Sequence, residues 1–257
     1  MSGLRTEGLS FAYGDDAVLS EVDLVAEAGE VTAIVGPNGV GKTTLLRLLA
    51  GLLAPDRGQI QIGEQEVDRA SRRRLARRIA LAPQLEKPAW PLTVSQMVAL
   101  GRAPHVGWWR SYSPADREVV ERVLEQVGLS TLADRLITEL SGGEYSRAVL
   151  ARTLAQEPRV LLLDEPTAHL DLKHQAEVLR RLRQLAHEDG LTVVVTLHDL
   201  NQAATTADRV ALLQSSSLRA SGPPEEVLTR EHLEPTYGVA VSVVPHPETG
   251  VPWIMPR

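Results

Sequence analysis

The sequence contains no cysteine among its 257 residues, which excludes disulfides, thiolate zinc sites and cysteine nucleophiles, and fits a reducing compartment. Any metal must be held by oxygen or imidazole ligands. No run approaches the roughly 20 consecutive apolar residues of a membrane-spanning helix, and the opening MSGLRTEGLS lacks the apolar stretch of a secretory signal. A cytosolic protein is expected. A basic excess is missing too: 27 Lys and Arg against 33 Asp and Glu leave a formal charge of -6, which argues against a surface built mainly for nucleic acid or anionic lipid. The densest basic patch, Arg69, Arg72, Arg73, Arg74, Arg77 and Arg78, reads as a solvated helix face. No internal repeat is present.

At this length, with 43% hydrophobic residues, the chain can bury a substantial core. Leu9, Phe11 and Tyr13 fall on one side of an alternating stretch, and Val22, Leu24 and Ala26 on one side of a second, as in half-buried strands, which predicts an antiparallel β region. Val31 to Val35 is continuously apolar, ends at Gly36, and is followed by leucines at helical spacing over 43–53. That is strand, glycine loop, helix. Val160 to Leu163 and Val193 to Leu197 carry polar residues just beyond their ends, as parallel strands of an α/β sheet do at a ligand site. Between Gln84 and about Ala155, prolines and tryptophans followed by the helical stretch 113–127 predict an inserted helical subdomain over about 86–156 of a main domain 1–244. The proline-rich tail 245–257 reads as an irregular surface segment.

Gly36-Pro37-Asn38-Gly39-Val40-Gly41-Lys42-Thr43, followed by Thr44, fits Gly, any four residues, Gly-Lys-Ser/Thr. Glycines let several backbone N–H groups converge on one anion at a helix N-terminus. Lys42 is expected to reach the β- and γ-phosphates of ATP, and Thr43 to place its hydroxyl on Mg²⁺. Asp164 and Glu165 end a buried apolar strand, where Asp164 would hold the metal and Glu165 would polarise the attacking water. The fold class is therefore α/β: a P-loop NTPase (RecA-like) core with an N-terminal antiparallel region and the inserted helices.

Leu140-Ser141-Gly142-Gly143-Glu144 then resembles the signature of the ATP-binding cassette (ABC) ATPases, LSGG usually followed by Gln. Taken alone, Ser-Gly-Gly also reads as a turn capping the next helix. The resemblance extends over nearly the whole chain: Tyr13 matches the aromatic residue that stacks on adenine, Gln84 the Q-loop, Ala168-His169-Leu170-Asp171 the D-loop, and His198 the switch histidine. Singly, each of Tyr13, Gln84 and His198 also fits a structural role; their order and spacing favour the site. It implies that Gln84 serves Mg²⁺ and catalysis together, and that His198 is catalytic. It further implies a head-to-tail homodimer in which Ser141, Gly142 and Gly143 of one copy cover the γ-phosphate on Lys42 and Glu165 of the other. Glu144 in place of Gln, and His169 where small residues are frequent, are the departures.

The 92–105 stretch, with Gly101-Arg102-Ala103-Pro104-His105, and Leu170-Asp171-Leu172-Lys173-His174-Gln175 resemble the ATPases that serve iron-siderophore, haem and cobalamin uptake. The resemblance implies integral membrane permease subunits, a periplasmic or lipoprotein substrate-binding protein acting indirectly, and a place on the cytoplasmic face of the membrane. No nucleic acid is expected. Trp90 and residues 101–109, including Trp108 and Trp109, are candidates for the permease dock, with core packing as the competing reading. An importer for another solute, or a soluble ABC ATPase acting on nucleic acid or ribosomes, are the alternatives.

Overall fold

In the computed structural model, residues 3–63, 65–67, 72–84, 90–106, 111–168 and 170–257 are described. Of the sequence-predicted features, Arg69, Trp108, Trp109 and His169 lie outside them, as does the side chain of Arg72.

Ten residues from Leu4 form β1 (Leu4–Tyr13), which pairs antiparallel with β2 (Asp16–Val22), β3 (Val25–Ala26) and β5 (Arg57–Ile62); β6 (Gln65–Glu66) extends β5. The predicted alternation holds for Leu9 and for Val22, Leu24 and Ala26, all buried, and fails within β1 beyond Leu9. Register shifts between Leu9 and Ala12 turn the strand, so that Leu9 is buried, Phe11 half-buried and Tyr13 exposed.

The second sheet begins with β4 (Val31–Val35), buried at every position, as a strand covered on both faces must be. It lies between β9 (Thr192–Thr196) and β10 (Arg209–Gln214), with β8 (Val160–Asp164) and β7 (Ile79–Ala82) beyond β9. These strands run parallel, while β11 (Ser217–Gly222) pairs antiparallel on the β10 edge. Helix α1 (Lys42–Leu49) follows β4. It stops four residues short of the expected Leu53 because Gly51 turns the chain left-handed at φ 67°, a conformation Gly adopts freely.

Between β7 and β8 the chain makes α3 (Val94–Ala99), α4 (Ala103–Val106), α5 (Pro114–Gln126) and α6 (Gly142–Leu154), after the short α2 (Arg72–Leu75) that precedes β7. Ser113 caps α5 and Ser141 caps α6 through reciprocal side-chain bonds to the third residues of the helices, Asp116 and Glu144. The motif Gly101-Arg102-Ala103-Pro104-His105 ties these helices together. A Cβ on Gly101 would overlap the Arg152 carbonyl of α6, so only Gly permits this approach. Buried Arg102 bonds Asp116 of α5 at 3.0 Å, the Ala155 carbonyl at 2.8 Å and Glu157 at 2.7 Å.

The basic patch is more than a solvated face. Arg73 and Arg77 each donate from Nε to the Pro104 carbonyl at 3.0 Å. His105 Nε2 lies 2.9 Å from the Gln156 carbonyl, and Gln156 in turn donates to Ala76 and Ile79.

Helix α7 (Leu172–His187) leads to β9, and α8 (Leu200–Thr206) to β10; α9 (Pro224–Val227) and α10 (Arg230–Tyr237) follow β11. The tail departs from expectation. Residues 241–256 form a hairpin of β12 (Val241–Pro245) and β13 (Pro252–Pro256). A two-stranded ribbon tolerates its prolines because most of its edge backbone needs no ladder donor. Asn201 of α8 holds it, accepting from Ile254 N–H at 2.8 Å and donating to the Ile254 carbonyl at 3.1 Å. Among the described residues no helix is long and apolar enough to cross a membrane.

Candidate active site

At the carboxyl end of β4 the chain must reverse sharply into α1, and it does so at two glycines no other residue can replace. Gly36 has φ 151°, and a Cβ there would sit 2.5 Å from the Leu213 carbonyl oxygen; Gly41 has φ 106° beside Val18 and Leu19. Gly41 also stands at the helix N-cap and offers no side-chain acceptor, and the first turn of α1 has no acidic residue. The helix N-terminus thus presents free N–H donors and the positive end of its dipole to an anion.

Lys42, only 5% exposed, donates from Nζ to the Gly36 and Pro37 carbonyls at 2.8 and 3.0 Å. Burial lowers its pKa, against the opposing pull of Glu165 and Asp164. The ammonium is therefore fixed within the loop, in the field of both acids.

Those acids are set by the neighbouring strand. Thr196, the last residue of β9, donates its hydroxyl to Asp164 Oδ1 at 2.7 Å and accepts the Glu165 N–H at 2.8 Å. Asp164 is buried, whereas Glu165 leaves the strand at φ 49°, a left-handed backbone uncommon outside glycine. That turn swings its carboxylate between two side chains from distant segments. Glu165 Oε1 lies 2.5 Å from His198 Nε2, and Oε2 accepts from Gln84 Nε2 at 2.9 Å. Both carboxylate oxygens are engaged, so the group is oriented before any reactant arrives.

A cavity of ≈ 550 Å³ opens over this arrangement, and Lys42, Thr43, Thr44, Gln84, Glu165 and His198 all line it. Asn38, Gly39, Gly41 and Tyr13 also line it. Tyr13 is 47% exposed with its ring edge-on to Phe11, centroids 4.8 Å apart, so it does not face the core.

Gly36, Pro37, Val40 and Asp164 are not part of this lining, and Asp164 lines a separate small cavity with Ser146 and Val149 of α6. Ser141, Gly142 and Gly143 lie outside the cavity, at the N-terminus of α6. Ser141 and Gly142 are exposed. Ser141 donates N–H and Oγ to Glu144 Oε2, both at 2.8 Å, and this backbone bond is the first cause holding the Glu144 carboxyl below its usual pKa. Asp171 caps α7, accepting from His174 N–H at 2.9 Å. Trp90 is 73% exposed, so it packs no core.

Two residues escaped the sequence reading. Thr196 reads as one more β-branched strand residue, distinguished only by closing an apolar run beside Asp164 in the next strand. Tyr237 of α10 has its phenol pushed up to about 12 by burial, with the Gly36 N–H pulling the other way. Nothing in the local sequence ties it to a loop 200 residues earlier.

Residues 19–168 match the family model described as ABC transporter. The chain is 44% identical over 255 residues to the hemin import ATP-binding protein HmuV of Thermobifida fusca, spanning 98% of this chain and 88% of that one. It is 38% identical over 253 residues to the ferric enterobactin transport ATP-binding protein FepC of Escherichia coli, spanning 98% and 93%. A chain of a metal-chelate type ABC transporter, solved in an inward-facing conformation, superposes with TM-score 0.87 at 30% identity over 100% of this chain and 97% of that one. With a phosphate loop, paired acids and an oriented carboxylate about one cavity, the chain belongs to the ABC transporter family as an ATP-binding, ATP-hydrolysing subunit.

Proposed function

We propose that this ATPase powers uptake of an iron chelate or haem through separate membrane permease subunits, working as a head-to-tail homodimer that ATP closes and hydrolysis reopens. The relatives named above serve hemin and ferric enterobactin, which supports these solutes over cobalamin. The chain would lie on the cytoplasmic face of the membrane, with a substrate-binding protein acting on the far side of the permease.

Within the site, the loop N–H groups of residues 36–41 and Lys42 would hold the phosphates, and Tyr13 would stack on adenine. Glu165 would take the proton of the attacking water, with Gln84 and His198 fixing its two oxygens. Mg²⁺ suits the hydroxyl of Thr43, the side-chain oxygen of Gln84 and the carboxylate of Asp164, since all are hard oxygen donors. It would neutralise phosphate charge. Ser141, Gly142 and Gly143 would arrive from the second copy, bringing another helix N-terminus to the γ-phosphate.

The observation that carries this reading is the two-sided grip of Gln84 and His198 on Glu165 beside Lys42. Glu165→Gln tests it. Turnover should fall by about 10²–10⁴-fold with ATP binding kept, and retention of wild-type turnover would overturn the assignment.

A further inference from the structure

A second cavity, of ≈ 340 Å³, lies between the end of α5, helix α6 and helix α7, apart from the ATP site. Its volume is at the lower end of those that take small organic ligands. Val127, Leu150 and Val178 give it an apolar wall. Arg147, Arg180 and Arg181 also line the cavity, with Glu177 the single acidic residue of the lining.

The cations are incompletely satisfied. Glu177 reaches Arg147 only at 3.7 Å, and Arg181 bonds a neutral acceptor, Gln184, at 3.2 Å. The Nε atoms of both Arg147 and Arg181 are buried without a hydrogen-bond partner among the described residues. Orphaned buried guanidinium donors are costly, and an anion that drew these side chains into new pairs would relieve that cost.

The cavity also shares its wall with the signature segment. Gly143 and His174 both line it, and they pack so closely that a Cβ on Gly143 would overlap the His174 ring. His174 Nδ1 is 2.7 Å from Asp171, which caps α7. A ligand that shifts His174 therefore shifts the start of α6 and the start of α7 together.

We propose that this cavity is a second binding site, for a small organic anion with a compact apolar body, and that its occupancy changes ATP turnover through His174 and Gly143. Binding stands on the cavity alone; the coupling rests on the role proposed for Ser141, Gly142 and Gly143.

Phenyl phosphate is the probe, titrated calorimetrically into the full chain carrying Glu165→Gln with ATP saturating, so that the phosphate loop is already filled. Binding in the roughly millimolar range or tighter is expected. Inorganic phosphate, which lacks the apolar body, and benzyl alcohol, which lacks the charge, should each bind at least about tenfold more weakly. Arg180→Leu and Arg181→Leu should each weaken phenyl phosphate about tenfold or more. No binding, or binding unchanged in both variants, overturns the site. In the wild-type chain at saturating ATP, phenyl phosphate should change turnover at least about twofold. Binding without any change in turnover overturns the coupling and leaves the ATP-site assignment standing.

Discussion

Replacing Arg102 by alanine removes a guanidinium that holds the helices between β7 and β8 to one another. Its side chain is 7% exposed and its partner Asp116 12%, so the pair is out of water. Removing one partner of a buried pair costs about 3–5 kcal/mol, most of it the stranding of the other charge. Two features set the cost at the low end. Asp116 keeps the Ser113 N–H at 3.0 Å and hydroxyl at 2.6 Å, and half-exposed Glu157 keeps Arg122 at 2.8 Å, an exposed pair of small value. We expect a loss of about 3 kcal/mol, which for a chain of this size lowers the thermal midpoint by about 6–12 °C. Thermal unfolding followed by circular dichroism, without nucleotide, reads it directly. Pairing Arg102→Met with Asp116→Leu should recover much of the loss, because no charge is then stranded. A midpoint within about 2 °C of wild type for Arg102→Ala would refute the claim that this ion pair carries the helix junction.

Acid gives an independent handle on the helix caps, and Tyr13 one on the proposed adenine contact. Bonds from Ser141 to Glu144, and from the Ser113 hydroxyl to Asp116, hold both carboxyls below their ordinary values. The stability they contribute is complete above the unfolded value of about 4 and is lost as pH falls through the lower folded values. Glu144→Gln and Asp116→Asn should therefore flatten the acid limb of the stability curve; limbs parallel to wild type between pH 5 and 2 would contradict this. Tyr13→Ala should raise the KM for ATP by roughly 2- to 10-fold, the worth of one aromatic stack, and Tyr13→Phe should leave it unchanged. A normal KM in the alanine variant would remove Tyr13 from the site.

What the sequence made legible follows how far each feature depends on distant parts of the chain. The loop 36–43 was readable because its strand, glycines and helix are contiguous, and the structure places them as expected. Asp164 and Glu165 were readable as acids ending a strand. Their fixation was not, because Thr196 reaches them only through the order β4-β9-β8, which no local pattern reveals. The arginines of 73–77 read as solvated because charge was visible and its acceptors, backbone carbonyls some thirty residues on, were not. The tail was misread for the opposite reason: its prolines signalled irregularity, while the hairpin depends on Asn201, a residue of another helix.

In the proposed dimer the ATP site is whole only when a second copy supplies Ser141 to Gly143, which stand outside the Lys42 and Glu165 cavity of their own chain. Mixing two inactive variants tests it. Glu165→Gln keeps Ser141 to Gly143, and Ser141→Arg keeps the Glu165 carboxylate proposed as the base, so a mixed dimer would contain one intact composite site. Each variant alone should hydrolyse almost no ATP, and an equimolar mixture should recover about a quarter of wild-type turnover, since half the dimers are mixed and each has one good site of two. A mixture as inactive as its components would contradict the shared site.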